Sequence, residues 1–90
     1  MNYLYLGKQV VVPDQNIVGI FDLENTSQSR ITRDYLAKSE KKGQIVTVAD
    51  DIPRTFIVCC DKKDRYTIYL SQMSSANLYK RLRENTEIKE

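Results

Sequence analysis

Tyr3-Leu4-Tyr5-Leu6 and Val10-Val11-Val12 are short β-prone runs separated by Gly7-Lys8, and a glycine at the first central position suits a type II′ turn. The pattern predicts an opening hairpin. Pro13-Asp14 breaks the pairing. Ile17-Val18-Gly19-Ile20-Phe21 is then a nearly continuous apolar run, the mark of a strand covered on both faces, with Gly19 signalling close approach by another element. From Ser29 to Lys42 the spacing changes: Ile31, Tyr35 and Leu36 recur on one side. Asn25, Thr26 and Ser27 offer N-cap chemistry upstream, and Gly43 stands where a C′ glycine belongs. This predicts an amphipathic helix, supported by an Asp34 and Lys38 pair four residues apart and by Lys41-Lys42 in the last turn.

Ile45 to Val48 reads as the next strand, Asp50-Asp51-Ile52-Pro53 as a turn and Phe56-Ile57-Val58-Cys59-Cys60 as a further apolar strand. Asp61-Lys62-Lys63-Asp64 is a polar hairpin loop. Arg65 to Leu70 alternates, with Tyr66, Ile68 and Leu70 on one face and Thr67 and Tyr69 on the other. Ser74 or Ser75 caps a final helix whose Leu78 and Leu82, with Tyr79 beside them, make one narrow apolar stripe. Residues 1–83 are thus expected to form a single α+β domain of about five to six short, mostly antiparallel strands, one middle helix and one C-terminal helix. The charged segment 84–90 is expected to fray.

Composition agrees with a folded chain: 41% of residues are hydrophobic and 29% charged. Ninety residues suffice for one core but leave no room for a separate cofactor lobe. With no Trp, two Phe and a thin stripe on the middle helix, that core is modest for its size, and a second copy of the chain is the expected cover for the remaining apolar surface. A formal net charge of +2 does not by itself signal nucleic acid. No apolar run approaches the roughly 20 residues of a membrane span, and Met1 leads into a strand pattern rather than a leader, so a cytoplasmic protein is expected.

Chemistry is narrowed mainly by what the chain lacks. Without histidine there is no Ser-His, Cys-His or His-metal arrangement, and three scattered glycines build no phosphate-cradling loop. No enzyme activity, cofactor, metal or small-molecule substrate is expected. Asp50-Asp51 are better explained by turn chemistry than by an acid/base or magnesium site. Cys59 and Cys60, adjacent in a strand, point to opposite faces and read as free thiols, one of them buried. Basic residues cluster at Arg30 and Arg33, at Arg54, at Lys62, Lys63 and Arg65, and at Lys80, Arg81 and Arg83, each group interspersed with acids. In a monomer these read as solvated faces. Repeated around a symmetric assembly, a weak positive patch becomes a multivalent phosphate-binding surface.

Taken in order, several segments resemble the RemA/RemB family of bacterial extracellular matrix (biofilm) regulatory proteins, and most closely its RemB-type branch, over about residues 1–83. They are Tyr5-Leu6-Gly7 leading to Val11-Val12, Ile17 to Asp22, Pro53-Arg54-Thr55-Phe56-Ile57-Val58, Ile68-Tyr69-Leu70-Ser71, and Ser74-Ser75 ahead of Leu78 and Lys80-Arg81. The resemblance implies a cytoplasmic, ring-forming homo-oligomer and, as in the RemA branch, a transcription regulator that binds double-stranded DNA through arginines. That branch carries an Arg-Arg pair in the turn before the apolar strand and another Arg just before the strand beginning here at Ile17. In this chain Ile52-Pro53-Arg54 and Asn16 occupy those places. Arg54 is accordingly the first candidate phosphate contact, with Arg30 and Lys8 as helpers. The alternative is an oligomeric module for protein–protein interaction with no nucleic-acid binding.

Overall fold

The computed structural model describes residues 2–23 and 29–88. Among the described residues, six strands, a short 3-10 turn and two α-helices follow one another as β1 (Tyr3–Gly7), β2 (Val10–Pro13), the 3-10 turn (Asp14–Asn16), β3 (Ile17–Asp22), α1 (Arg30–Lys41), β4 (Ile45–Thr47), β5 (Thr55–Cys60), β6 (Tyr66–Ser71) and α2 (Ser75–Ile88). β1 and β2 form a two-stranded antiparallel ribbon, and the other strands form a sheet in the order β3-β5-β6-β4. Its β3/β5 and β5/β6 pairs are antiparallel, whereas β4 runs parallel to β6. The chain is therefore an α+β domain in three layers: the ribbon with α2, the sheet, and α1.

Strict alternation explains how the ribbon docks. Leu4, Leu6 and Val12 are buried, while Tyr3, Tyr5 and Val11 on the other face are exposed. The inward set meets Ile20, Ile57 and Cys59 from the sheet and Leu78 from α2 in the main core cluster. Gly7 closes β1 at φ 114°, but the central turn residues are Lys8 and Gln9, at φ 48° and 64°. Two positive φ values make the turn type I′-like instead of the expected type II′, and a register shift between Tyr5 and Gly7 accounts for the one-residue displacement. A left-handed φ costs a side-chain-bearing residue roughly 1 to 2 kcal/mol, and glycine's looser unfolded chain costs roughly 0.5 to 1 kcal/mol. Gln9→Gly is thus expected to stabilise the domain by about 0.5 kcal/mol or more, read as a higher urea midpoint at unchanged m-value.

Ser29 caps α1, its Oγ accepting from the Thr32 N–H. Asn25, Thr26 and Ser27 lie outside the described residues. The far end is a Schellman closure: Gly43, at φ 70°, donates to Glu40 O and Gln44 donates to Ser39 O. The apolar stripe of α1 departs from the sequence expectation. Leu36 packs toward Phe56, Val58 and Ile68 and Ser39 is buried, whereas Ile31 is 81% exposed and Tyr35 also faces out. β3 departs too. It is an edge strand whose Val18 and Phe21 are exposed, and β5 is the strand covered on both faces. The element that approaches Gly19 is the strand's own Phe21, since a Cβ at Gly19 would lie 2.8 Å from that ring.

Ser74 opens α2 by accepting from Asn77 N–H, and the helix continues through Ile88. Two buried hydroxyls tie this corner together: Ser71 Oγ donates to Leu6 O at 2.7 Å, and Thr55 Oγ1 donates to Met73 O at 3.1 Å. Tyr79 OH donates to Ile20 O on the edge strand. Both cysteines are free thiols, Cys59 buried and Cys60 less so. Burial pushes the Cys59 thiol up to about 11. Because only the thiolate alkylates, Cys60 is expected to react first at pH 8 and Cys59 only as fast as the chain unfolds. Equal rates in mass spectra of a time course would contradict this.

Candidate nucleic-acid interface

Sheet direction decides where the basic residues meet. β3, β4 and β6 end on one rim of the sheet, and β5 begins there. The loop from β4 to β5 lies along this upper rim and carries Asp50, Asp51, Ile52, Pro53 and Arg54. Arg54 is pinned by its backbone: its N–H donates to Ser71 O at 2.8 Å and its carbonyl accepts from Leu23 N–H at 2.9 Å. That extends the ladder one residue past β5 and leaves an exposed side chain on the rim. Ile52, in the same loop, is 81% exposed.

Lys8 arrives from a different layer. The turn between β1 and β2 reaches the same rim, and Lys8 Nζ forms an ion pair with Asp50 Oδ1. Gln72 steadies the loop, its Oε1 accepting from Asp50 N–H, while Asp51 Oδ1 accepts from Ile52 N–H. Arg30 belongs to the third layer. It opens α1, which runs back toward the start of β4, so it sits at the upper-rim end of that helix. The fold thus brings Lys8, Arg30 and Arg54, distant in sequence, to one rim, each from a separate layer. Asp50 offsets part of the charge through Lys8, a pair that exposure and salt make weak.

Asn16 lies at the opposite end. The 3-10 turn places it beside the β5–β6 hairpin, where Gln15, Asn16, Lys62, Lys63 and Arg65 border a shallow recess. Asp61 organises that hairpin. Its carboxylate accepts from the N–H groups of Lys63 and Arg65 and from Arg65 Nε. The Arg65 backbone bond, helped by its guanidinium and the Lys63 N–H, holds the Asp61 carboxyl below its usual range. Lys62 and Lys63 remain exposed. Lys38, Lys41 and Lys42, closing α1, belong to the same lower rim. This second basic rim is assembled from segments distant in sequence, residues 38–42 and 62–65. Each cluster is visible in the sequence, but their shared rim follows only from strand direction.

On the ribbon's outer face, Arg81 of α2 lies over the Tyr5 ring at 5.8 Å from its centroid. Among the described residues no helix is long and apolar enough to cross a membrane.

No family model matches the chain. A curated relative does: over 86 residues, 96% of this chain and 96% of the relative, it is 34% identical to extracellular matrix regulatory protein B of Bacillus subtilis (strain 168). The match covers nearly the whole chain and agrees with the resemblance read from the sequence. The chain belongs to the extracellular matrix regulatory protein B family.

Proposed function

We propose that this protein is a non-enzymatic, cytoplasmic regulator of extracellular matrix genes that assembles into a closed homo-oligomeric ring and binds duplex DNA through its phosphate backbone. The observation that supports it best is the placement of Lys8, Arg30 and Arg54 on one rim by three independent layers. A ring multiplies such a rim, so that a protomer of formal charge +2 presents many cations at once. The name of the Bacillus subtilis relative supplies the regulatory role. Arginine at position 54 suits the task better than lysine because its planar fork matches two phosphate oxygens. Asn16 removes one such fork at the lower rim, and Lys62 and Lys63 beside it provide cations of simpler geometry.

A gel shift with duplex DNA of unrelated sequences, run from low to physiological salt, tests this reading. Affinity is expected to fall linearly on a double-logarithmic plot, with a slope of about −0.9 per phosphate neutralised, and to differ little between sequences. Absence of binding at low salt would leave the second reading, an oligomeric module for a protein partner. Such an interface responds weakly to salt. The exposed Tyr3 and Tyr5, the latter lying under Arg81, favour that second reading, tyrosine and arginine being side-chain types that anchor protein interfaces.

A further inference from the structure

α1 covers only part of its face of the sheet. Between the helix and the β3 edge lies an open groove of about 380 Å³, with Phe21, Val58 and Tyr66 as its floor, Ile31 and Tyr35 along the helix side and Val18 at the strand edge. The Phe21 and Phe56 rings stack with centroids 4.9 Å apart, and Phe21 lies back over Gly19, which keeps the floor flat. Among the described residues no charged side chain lines the groove, which leaves it without a cation for phosphate.

Val18, Phe21, Ile31, Tyr35 and Tyr66 are between 41% and 81% exposed. At the areas usual for such side chains they present roughly 500 Å² of mostly apolar surface, near the upper end for the largest patch on a monomer. It also matches the apolar core of an interface that buries about 800 Å² per partner.

We infer that this groove is a contact between copies of the chain, in which Ile31 of each protomer fills the recess of the other across a twofold axis between their α1 helices. The inference rests on the self-assembly reading and adds a two-fold contact to the head-to-tail contacts that close a ring. Self-complementarity selects the occupant. The groove combines a projecting apolar side chain with an adjacent recess on one surface, which is what a two-fold contact requires of a single patch. Ile31 and Tyr35, four residues apart, form a ridge of the kind that packs into a facing groove. Such a contact also accounts for an isoleucine on the first turn of α1 that the protomer's own core does not use.

The full chain and two variants, Ile31→Asp and Val18→Glu, would be weighed by native mass spectrometry and sedimentation at micromolar concentration. Both positions are mostly exposed in the protomer, so circular dichroism should stay native. The particle mass is expected to fall by half or more in each variant. Cys60, the cross-strand partner of the groove residue Tyr66, should alkylate several-fold faster than in the parent. If either variant should misfold, the other carries the test. Variants folded as the parent and of the same mass would overturn the inference while leaving self-assembly standing. A parent that is monomeric at micromolar concentration would overturn both.

Discussion

Replacing Leu78 by Ala is expected to remove about 2 to 5 kcal/mol of stability, the largest loss foreseen for any single truncation outside the sheet. Leu78 is 0% exposed and is the fully buried anchor of α2, set among Leu4, Leu6, Ile20 and Ile57. Its isobutyl group reaches the point where ribbon, sheet and helix meet. Truncation leaves a void that strands held by ladder hydrogen bonds cannot close. Against a total of about 5 to 15 kcal/mol for a domain, that is a large share, and each kilocalorie shifts the melting temperature of a chain this size by about 4 to 8 °C. Tyr79→Phe is the control: it removes only the hydroxyl bonded to Ile20 O, a net loss of about 1 kcal/mol. Thermal and urea unfolding at fixed protein concentration would read both, since assembly makes stability depend on concentration. A loss below 1 kcal/mol for Leu78→Ala would mean that α2 does not anchor the corner as described.

Period-two patterning is reliable where one face of a strand is buried by its own domain. Tyr3, Leu4, Tyr5 and Leu6 therefore took the faces that their alternation implies, and Gly43 ended α1 because a left-handed residue is needed there. The same logic misleads where an apolar side chain is not buried by the protomer. Ile31 and Tyr35 fit a helical stripe as well as Leu36 does, yet only Leu36 reaches the core. Val18 and Phe21 likewise made β3 read as a central strand, although it lies at the edge. The parallel pairing of β4 with β6 has no local signature, because a sheet position depends on what packs around it. Lys8, Arg30 and Arg54 could be singled out one by one, but their common rim depends on the direction of every strand. That is tertiary information which spacing along the chain does not carry.

Arg54→Ala is expected to weaken duplex DNA binding many-fold while leaving the assembly and its melting temperature nearly unchanged. The backbone of Arg54 is held by Ser71 O and Leu23 N–H, and neither bond depends on the side chain, so the β5 entry should survive truncation. Any ion pair its exposed guanidinium makes contributes only about 0 to 1 kcal/mol. Binding is different, because a ring repeats each lost contact. Even a modest loss per protomer multiplies over the subunits that face one duplex. The salt slope should flatten by about 0.9 for each phosphate released, which separates a phosphate contact from a folding defect that merely lowers active concentration. Arg54→Lys should fall between parent and Ala, since an ammonium keeps the charge without the two-oxygen fork. Lys8→Ala should have a smaller effect, because Asp50 already offsets part of its charge in the parent. Unchanged affinity in Arg54→Ala would remove the upper rim from the DNA reading and bring the protein-partner reading to the front.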